Sequence, residues 1–147
     1  MRAVVTRVKS ASVEIDGSIY SQIDSGFLVL LGVHQEDTEA EALKIADKLC
    51  GLRVFEDENG KMNVNPLDAG AKMLIISQFT LFADCRSRRP GFSKAARPDT
   101  AIPLYELVIA KCREKGFEVQ TGVFAADMKV ASVNDGPVTI ILDTKEL

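Results

Sequence analysis

Residues 11–23 read ASVEIDGSIYSQI. Two segments of alternating apolar and polar residues flank Asp16-Gly17, and that dipeptide suits the left-handed positions of a two-residue hairpin turn. The spacing therefore predicts an antiparallel strand pair. Upstream, AVVTRV (residues 3–8) is β-branched and extends the first strand. Downstream, Gly26 opens FLVLLGV (27–33), an uninterrupted apolar run that predicts a strand buried on both faces.

Further along, Thr38 with Glu41 three residues later forms a capping-box pattern. Ala42, Leu43, Ala46, Leu49 and Cys50 follow at helical spacing, so a helix is expected over about 38–51. RVFED (53–57) reads as a short strand, and ENGKMNVNPLDAG (58–70) as a turn-rich surface loop. KMLIIS (72–77) is a second buried strand. Residues 86–98 look irregular. A second helix is expected from about Thr100 to Lys115, with Leu104, Leu107, Val108 and Cys112 on one face and Gly116 as its stop. FEVQTGVF, MKVASVND and VTIILDT are strand-like. The sum is an α+β fold, a β-rich single domain over residues 1–147 with two main helices.

Composition removes several function classes. A net charge of −3 excludes polyanion binding by bulk electrostatics, so a nucleic-acid site needs local clustering. Cys50, Cys85 and Cys112 are odd in number and widely spaced, which suits neither a disulfide framework nor a zinc site and fits a reducing compartment. No stretch has the length or apolarity of a signal peptide or membrane span, and a cytoplasmic protein is expected. The single histidine, His34, has no sequence partner that would make it a base for Ser77 or Thr80, and reads as a strand-end residue. The glycines form no phosphate loop, and neither metal nor cofactor is expected.

Three constellations remain. Ser77-Gln78-Phe79-Thr80 ends a buried strand; read as extended chain, Ser77 and Phe79 share one face, Gln78 and Thr80 the other. That is either a plain return to solvent or the floor of a polar pocket. NDGPVTI (134–140) is either a turn between two strands or, because a Gly-Pro bond tolerates the cis form, a rigid pair of carbonyl acceptors suited to an ammonium group. Arg86, Arg88, Arg89, Lys94 and Arg97, interleaved with Pro90, Gly91 and Phe92, form either a solvated loop or a contact for a phosphate backbone.

Taken together, RAVVTRVKSASVEIDG, LLGV, GKMNVN, SQFTLFAD, RPGFSK, TGVFAADMKV and NDGPVT resemble the D-aminoacyl-tRNA deacylase family across essentially the whole chain. The resemblance implies a barrel-like arrangement of antiparallel and mixed sheets and a homodimer. It implies hydrolysis of the ester joining a D-amino acid, or misplaced glycine, to the terminal adenosine of tRNA. Ser77, Gln78, Phe79 and Thr80 would line the catalytic pocket. Gly136 and Pro137, in cis and inserted into the partner's pocket, would reject L-amino acids, with Arg7 holding their loop. Arg86, Arg88, Arg89 and Lys94 would meet the acceptor stem. Since the ester is activated, donors aimed at the oxyanion would matter more than a strong base. The RNA 2′-OH would take the proton, or Thr80 would act as a nucleophile. The competing expectation is a non-catalytic nucleic-acid-binding module. Relatives of that kind carry a C-terminal extension, which this sequence does not show.

Overall fold

The structure is a computed structural model describing all of Met1–Leu147. Its strands are β1 (Arg2–Ile15), β2 (Ser18–Ile23), β3 (Gly26–Gly32), β4 (Phe55–Glu56), β5 (Met62–Val64), β6 (Lys72–Ser77), β7 (Val119–Thr121) and β8 (Lys129–Asp143). The helices are α1 (Glu39–Gly51) and α2 (Pro98–Glu114). The predicted hairpin is present. Asp16 and Gly17 both take positive φ, 51° and 79°, and β2 folds back on β1 from Ile15↔Ser18 to Ala11↔Ile23.

β1 is the centre of the sheet. One of its edges carries β3 and then β2, and the other carries β8, whose partners run from Arg2↔Asp143 to Glu14↔Lys129. β3, β6 and β7 continue as parallel neighbours. The open ends of this order approach each other where Ser21 Oγ donates to the Thr121 carbonyl at 2.7 Å, so the mixed sheet nearly closes on itself.

That curvature makes two cores. Phe27, Val29 and Leu31 of β3 and Met73 and Ile75 of β6 face the helices, in a cluster of 25 buried residues. Leu28, Leu74 and Ile76 face inward with Val8, Ala11 and Val13, in a cluster of seven. Both β3 and β6 are therefore buried on two faces, which explains their unbroken apolar runs. Along β1 the buried positions change phase, from Ala3 and Val5 to Val8, Ala11 and Val13, where its register with β8 slips between Thr6 and Ser10.

Helix α1 begins at its capping box, with Thr38 N–H donating to Glu41 at 2.6 Å. Ile45 joins Ala42, Ala46 and Leu49 inside, while Leu43, expected on that face, is exposed. Helix α2 starts two residues before the expected Thr100 because Pro98 occupies its first turn, where a missing N–H costs nothing. Three expectations needed larger correction. The loop after RVFED contains β5, which pairs with β4 around Asn59-Gly60. The two last strand-like pieces are one strand, β8, because β1 pairs with residues on both sides of NDGP. The segment after Ser77 is not extended: Phe79–Phe82 form a 3-10 turn, so the two-face reading of Ser77–Thr80 does not apply.

Gly26 marks the tightest backbone approach. A Cβ there would lie 1.9 Å from the Lys72 carbonyl oxygen, across the β3–β6 pair. Gly51, at the end of α1, has no neighbour within 4 Å of the same added atom. Gly26→Ala is expected to cost roughly 3 kcal/mol or more because the backbone must move. Gly51→Ala is expected to be neutral or stabilising by up to about 1 kcal/mol. Urea denaturation of both variants checks the contrast, and equal midpoints would contradict it.

Candidate active site

The strand β6 delivers Ser77 to the sheet's end, and its backbone course stops there. Gln78 N–H donates to the Leu31 carbonyl at 2.8 Å, a last sheet-like bond before the chain turns. Phe79 and Thr80 then stand at the start of the 3-10 turn with their side chains in solvent, Phe79 at 54% exposure. Gly32 makes this possible. A Cβ at Gly32 would sit 3.0 Å from both the Gln78 carbonyl oxygen and Leu81 Cβ, so the turn packs directly on the end of β3.

Two donors follow from this geometry. The N–H groups of Phe79 and Thr80, first in the turn, have no acceptor within it. The Gln78 N–H is spent on Leu31, so the free donors begin at Phe79. Gln78 Nε2 donates to Thr80 Oγ1 at 2.7 Å. The threonine oxygen thus receives a hydrogen bond, and its own O–H remains free to donate outward. A hydroxyl in that state is a better donor than nucleophile. His34 does not reach it: its Nδ1 accepts from the Glu36 N–H at 3.1 Å, and its ring meets Phe82 edge-on at 5.2 Å.

The basic loop is attached to the same turn. Asp84 and Gly91 exchange backbone hydrogen bonds at 2.7 and 2.9 Å, closing the loop at its base. Phe92 then packs T-shaped on Phe79 with ring centroids 5.1 Å apart. Arg86, Arg88, Arg89 and Lys94 are all exposed, but they are not equivalent. Arg86 clamps Asp84 at 2.5 Å, whereas Arg88, Arg89 and Lys94 have no carboxylate partner. The Arg86 guanidinium and N–H hold the Asp84 carboxyl down at about 2.

Gly136-Pro137 lies elsewhere. Its peptide bond is cis, Gly136 has φ 128°, and both residues are exposed near the middle of β8. A Cβ on Gly136 would meet Val138 Cγ2 at 2.8 Å and Arg7 Nη2 at 3.2 Å, so glycine is required there twice over. Arg7 lies beneath the pair, 5% exposed. Its Nε donates to the Asp135 carbonyl at 3.1 Å and its Nη1 to the Val54 carbonyl at 2.7 Å. The carboxylates of Asp135 and Glu56 stand further off, at 3.6 and 3.7 Å. The two hydrogen bonds are the tighter contacts.

Within one chain the structure gathers Ser77, Gln78, Phe79, Thr80 and the basic loop, and it gathers Arg7, Gly136 and Pro137. It does not bring the two groups together. Arg2 reaches the turn and Arg7 reaches Gly136, and they are five residues apart on β1, about 17 Å at strand spacing.

Comparisons with known proteins identify the family. A family model described as D-Tyr-tRNA(Tyr) deacylase matches residues 4–143. The chain belongs to that family. It is 55% identical to a D-aminoacyl-tRNA deacylase of Thermus aquaticus over 99% of this chain and 97% of the relative. A D-aminoacyl-tRNA deacylase of Brevibacillus brevis is 54% identical over 98% of this chain and 100% of that one. Among solved structures, one named c-Myc DNA Unwinding Element Binding Protein superposes with a TM-score of 0.92 at 39% identity, covering 97% of this chain and 98% of that one. A second, titled as a probable eukaryotic D-amino acid tRNA deacylase, superposes at 0.84 with 14% identity over 96% and 97%, which shows the shared fold.

Sequence reasoning missed Gly32, Arg2 and Phe82 at this site. A lone glycine after an apolar run and an arginine in the second position carry no pattern that announces them. For the basic loop, a carboxyl titration by NMR is expected to place Asp84 near 2. Because that value lies below the ordinary range, the Asp84–Arg86 clamp is complete above about pH 4 and is lost as pH falls through 2. Arg86→Ala should return Asp84 toward its ordinary value, and an unmoved midpoint would remove Arg86 as the cause.

Proposed function

We propose that the chain hydrolyses the ester of D-aminoacyl-tRNA, and of mischarged glycyl-tRNA, as a cytoplasmic proofreading enzyme. The observation that carries this reading is the exposed 3-10 turn, where Gln78 holds Thr80 as an outward donor beside the open N–H groups of Phe79 and Thr80. An ester carbonyl placed there meets donors where its oxyanion develops. One such donor is typically worth about 10²- to 10³-fold in rate. Water attacks the carbonyl carbon. The neighbouring 2′-OH of the RNA, or a water it orients, takes the proton from the attacking water and passes it to the 3′-oxygen as the ester C–O bond breaks. The hydrogen bond from Gln78 to the threonine oxygen disfavours Thr80 as a covalent nucleophile.

Chirality is read by Gly136 and Pro137 of a second copy. Their distance from the turn within one chain supports a homodimer in which each subunit's pair closes the other's pocket. Arg7 braces the pair from below. Arg88, Arg89 and Lys94 contact the tRNA backbone, with Phe92 beside Phe79 at the pocket's edge. Arg86 chiefly shapes the loop through Asp84. No helix is long and apolar enough to cross a membrane.

A second reading is favoured by the solved structure named for binding a DNA unwinding element, since its likeness extends over nearly the whole chain. Under that reading the chain is a nucleic-acid-binding module without catalysis, and the polar turn serves no reaction.

Hydrolysis of D-Tyr-tRNA beside L-Tyr-tRNA separates the two. Release of the D-amino acid alone is expected from the wild type, with Thr80→Ala slower by roughly 10²-fold. No release from either substrate would leave the binding module standing. Mixing a Gly136→Ala variant, which should release L-Tyr as well, with excess Thr80→Ala should recover rejection of L-Tyr-tRNA through hybrid dimers that join an intact turn to an intact wall. No recovery would place both motifs in one subunit's site.

The double variant Arg88→Ala/Arg89→Ala is expected to weaken tRNA binding and to flatten its salt dependence by up to about two units of slope. Filter binding across a salt series reads this, and an unchanged slope would take the loop out of the interface.

A further inference from the structure

The turn that carries Thr80 is short, and a single 3-10 turn has little stability of its own. Its internal bonds include Leu81 N–H to the Gln78 carbonyl at 3.3 Å and Ala83 N–H to the Thr80 carbonyl at 3.1 Å. Something outside it must fix where Phe79 and Thr80 point. The Gln78 bond to Leu31 and the close packing on Gly32 hold its beginning. Its far end is gripped by Arg2.

Arg2 opens β1, directly opposite Asp143 in the β1–β8 pair. Its Nη1 donates to the Leu81 carbonyl at 2.8 Å, and its Nε donates to Asp143 Oδ2 at 3.0 Å. A second guanidinium nitrogen lies 2.9 Å from the same carboxylate oxygen. The guanidinium carbon sits 4.8 Å over the Phe82 ring, which His34 also meets edge-on. Asp143 is fixed in its turn by the Lys145 N–H at 3.0 Å, and its side chain is 13% exposed. Burial raises its carboxyl, but the hydrogen bonds from Lys145 and Arg2 outweigh it and hold the group below the usual range. It stays charged at neutral pH.

We propose that Arg2, oriented by Asp143, is a positioning residue for the donor turn. The proposal rests on the reading of that turn as the catalytic surface. Arg2 holds the Leu81 carbonyl and the Phe82 ring at once, and so sets where the Phe79 and Thr80 donors stand relative to the ester. A displacement of about 1 Å in a positioning element can cost on the order of 10²-fold in rate without touching the substrate. Lysine cannot substitute, because one ammonium group cannot span Asp143, the Leu81 carbonyl and the ring face together.

The test compares wild type with Arg2→Lys and Arg2→Gln in D-Tyr-tRNA hydrolysis and in amide hydrogen exchange. Expected are a fall in kcat of roughly 10- to 100-fold with KM within about twofold, and faster exchange at Leu81 and Ala83 with β3 and β6 unchanged. Should Arg2→Gln fail to fold, Asp143→Asn leaves the Leu81 bond without its brace and should move both readouts in the same direction, by less. An unchanged kcat, a loss confined to KM, or unchanged exchange in the turn would each overturn the proposal. A wild type inactive on D-Tyr-tRNA would remove the deacylase reading instead, while the exchange arm still decides whether Arg2 holds the turn.

Discussion

Strand β1 is hydrogen-bonded along both edges, and most of the rest follows from that constraint. A strand paired on one side to β8 and on the other to β3 and β2 cannot slip without breaking two ladders at once. Its residues therefore act as fixed marks. Arg2 at one end reaches the Leu81 carbonyl of the donor turn, and Arg7 reaches the main chain beneath Gly136. The register irregularity between Thr6 and Ser10 lies where β8 passes Gly136-Pro137, so the exposed pair occupies the one stretch where the ladder is relaxed. A fold that nearly closes on itself thereby holds two functional features rigidly apart.

On the proposed reading, the donor turn manages without a side-chain base. Aminoacyl esters are activated, so a few well-placed donors can supply a useful part of the barrier lowering. Their cost is positional: each must be kept from satisfying itself within the protein. The 3-10 turn does this for the Phe79 and Thr80 N–H groups, and Gln78 does it for the Thr80 hydroxyl by occupying its oxygen. The basic loop, pinned by Asp84–Gly91 and by the Phe79–Phe92 contact, then lies beside these donors. An aromatic pair of that kind contributes about 0.5–1.5 kcal/mol beyond its buried area, enough to bias the loop's position though not to freeze it.

Much of the fold was legible because it rests on local chemistry. Asp16-Gly17, the Thr38 capping box and the apolar runs of β3 and β6 each carry their own cause within a few residues. Legibility failed where tertiary contact overrode local pattern. NDGP has the composition of a turn, yet β1 draws both flanks into one strand. Phe79–Phe82 continues an apolar stretch, yet the chain runs out of sheet to pair with after Gln78 and curls onto Gly32. The two candidate motifs lie apart within one chain, which is compatible with the expectation that Gly136-Pro137 enters a partner's pocket. The roles of Arg2 and Arg7 depend on which carbonyls lie opposite in space. The sequence resemblance named Arg7, whereas nothing local to Arg2 pointed to Leu81 or Asp143.

On the proposed reading of Gly136-Pro137 as the chiral wall, the use of main chain rather than side chain has a physical reason. The two forms carry identical groups, so further attractive contacts to a side chain separate them poorly. A wall that collides with only one hand separates them for every side chain at once. Such a wall has to be rigid, since a yielding one admits both. Arg7 supplies that rigidity from a buried position, donating to carbonyls of Asp135 and Val54 on different segments. Removing such a donor costs roughly 1–3 kcal/mol for each buried carbonyl left unpaired. Glycine at 136 leaves room for the arginine directly beneath the wall, and a larger residue would press on it. If the wall serves a neighbouring subunit's pocket, its stiffness must survive at an exposed surface. A brace from inside the fold meets that demand better than contacts made only after assembly.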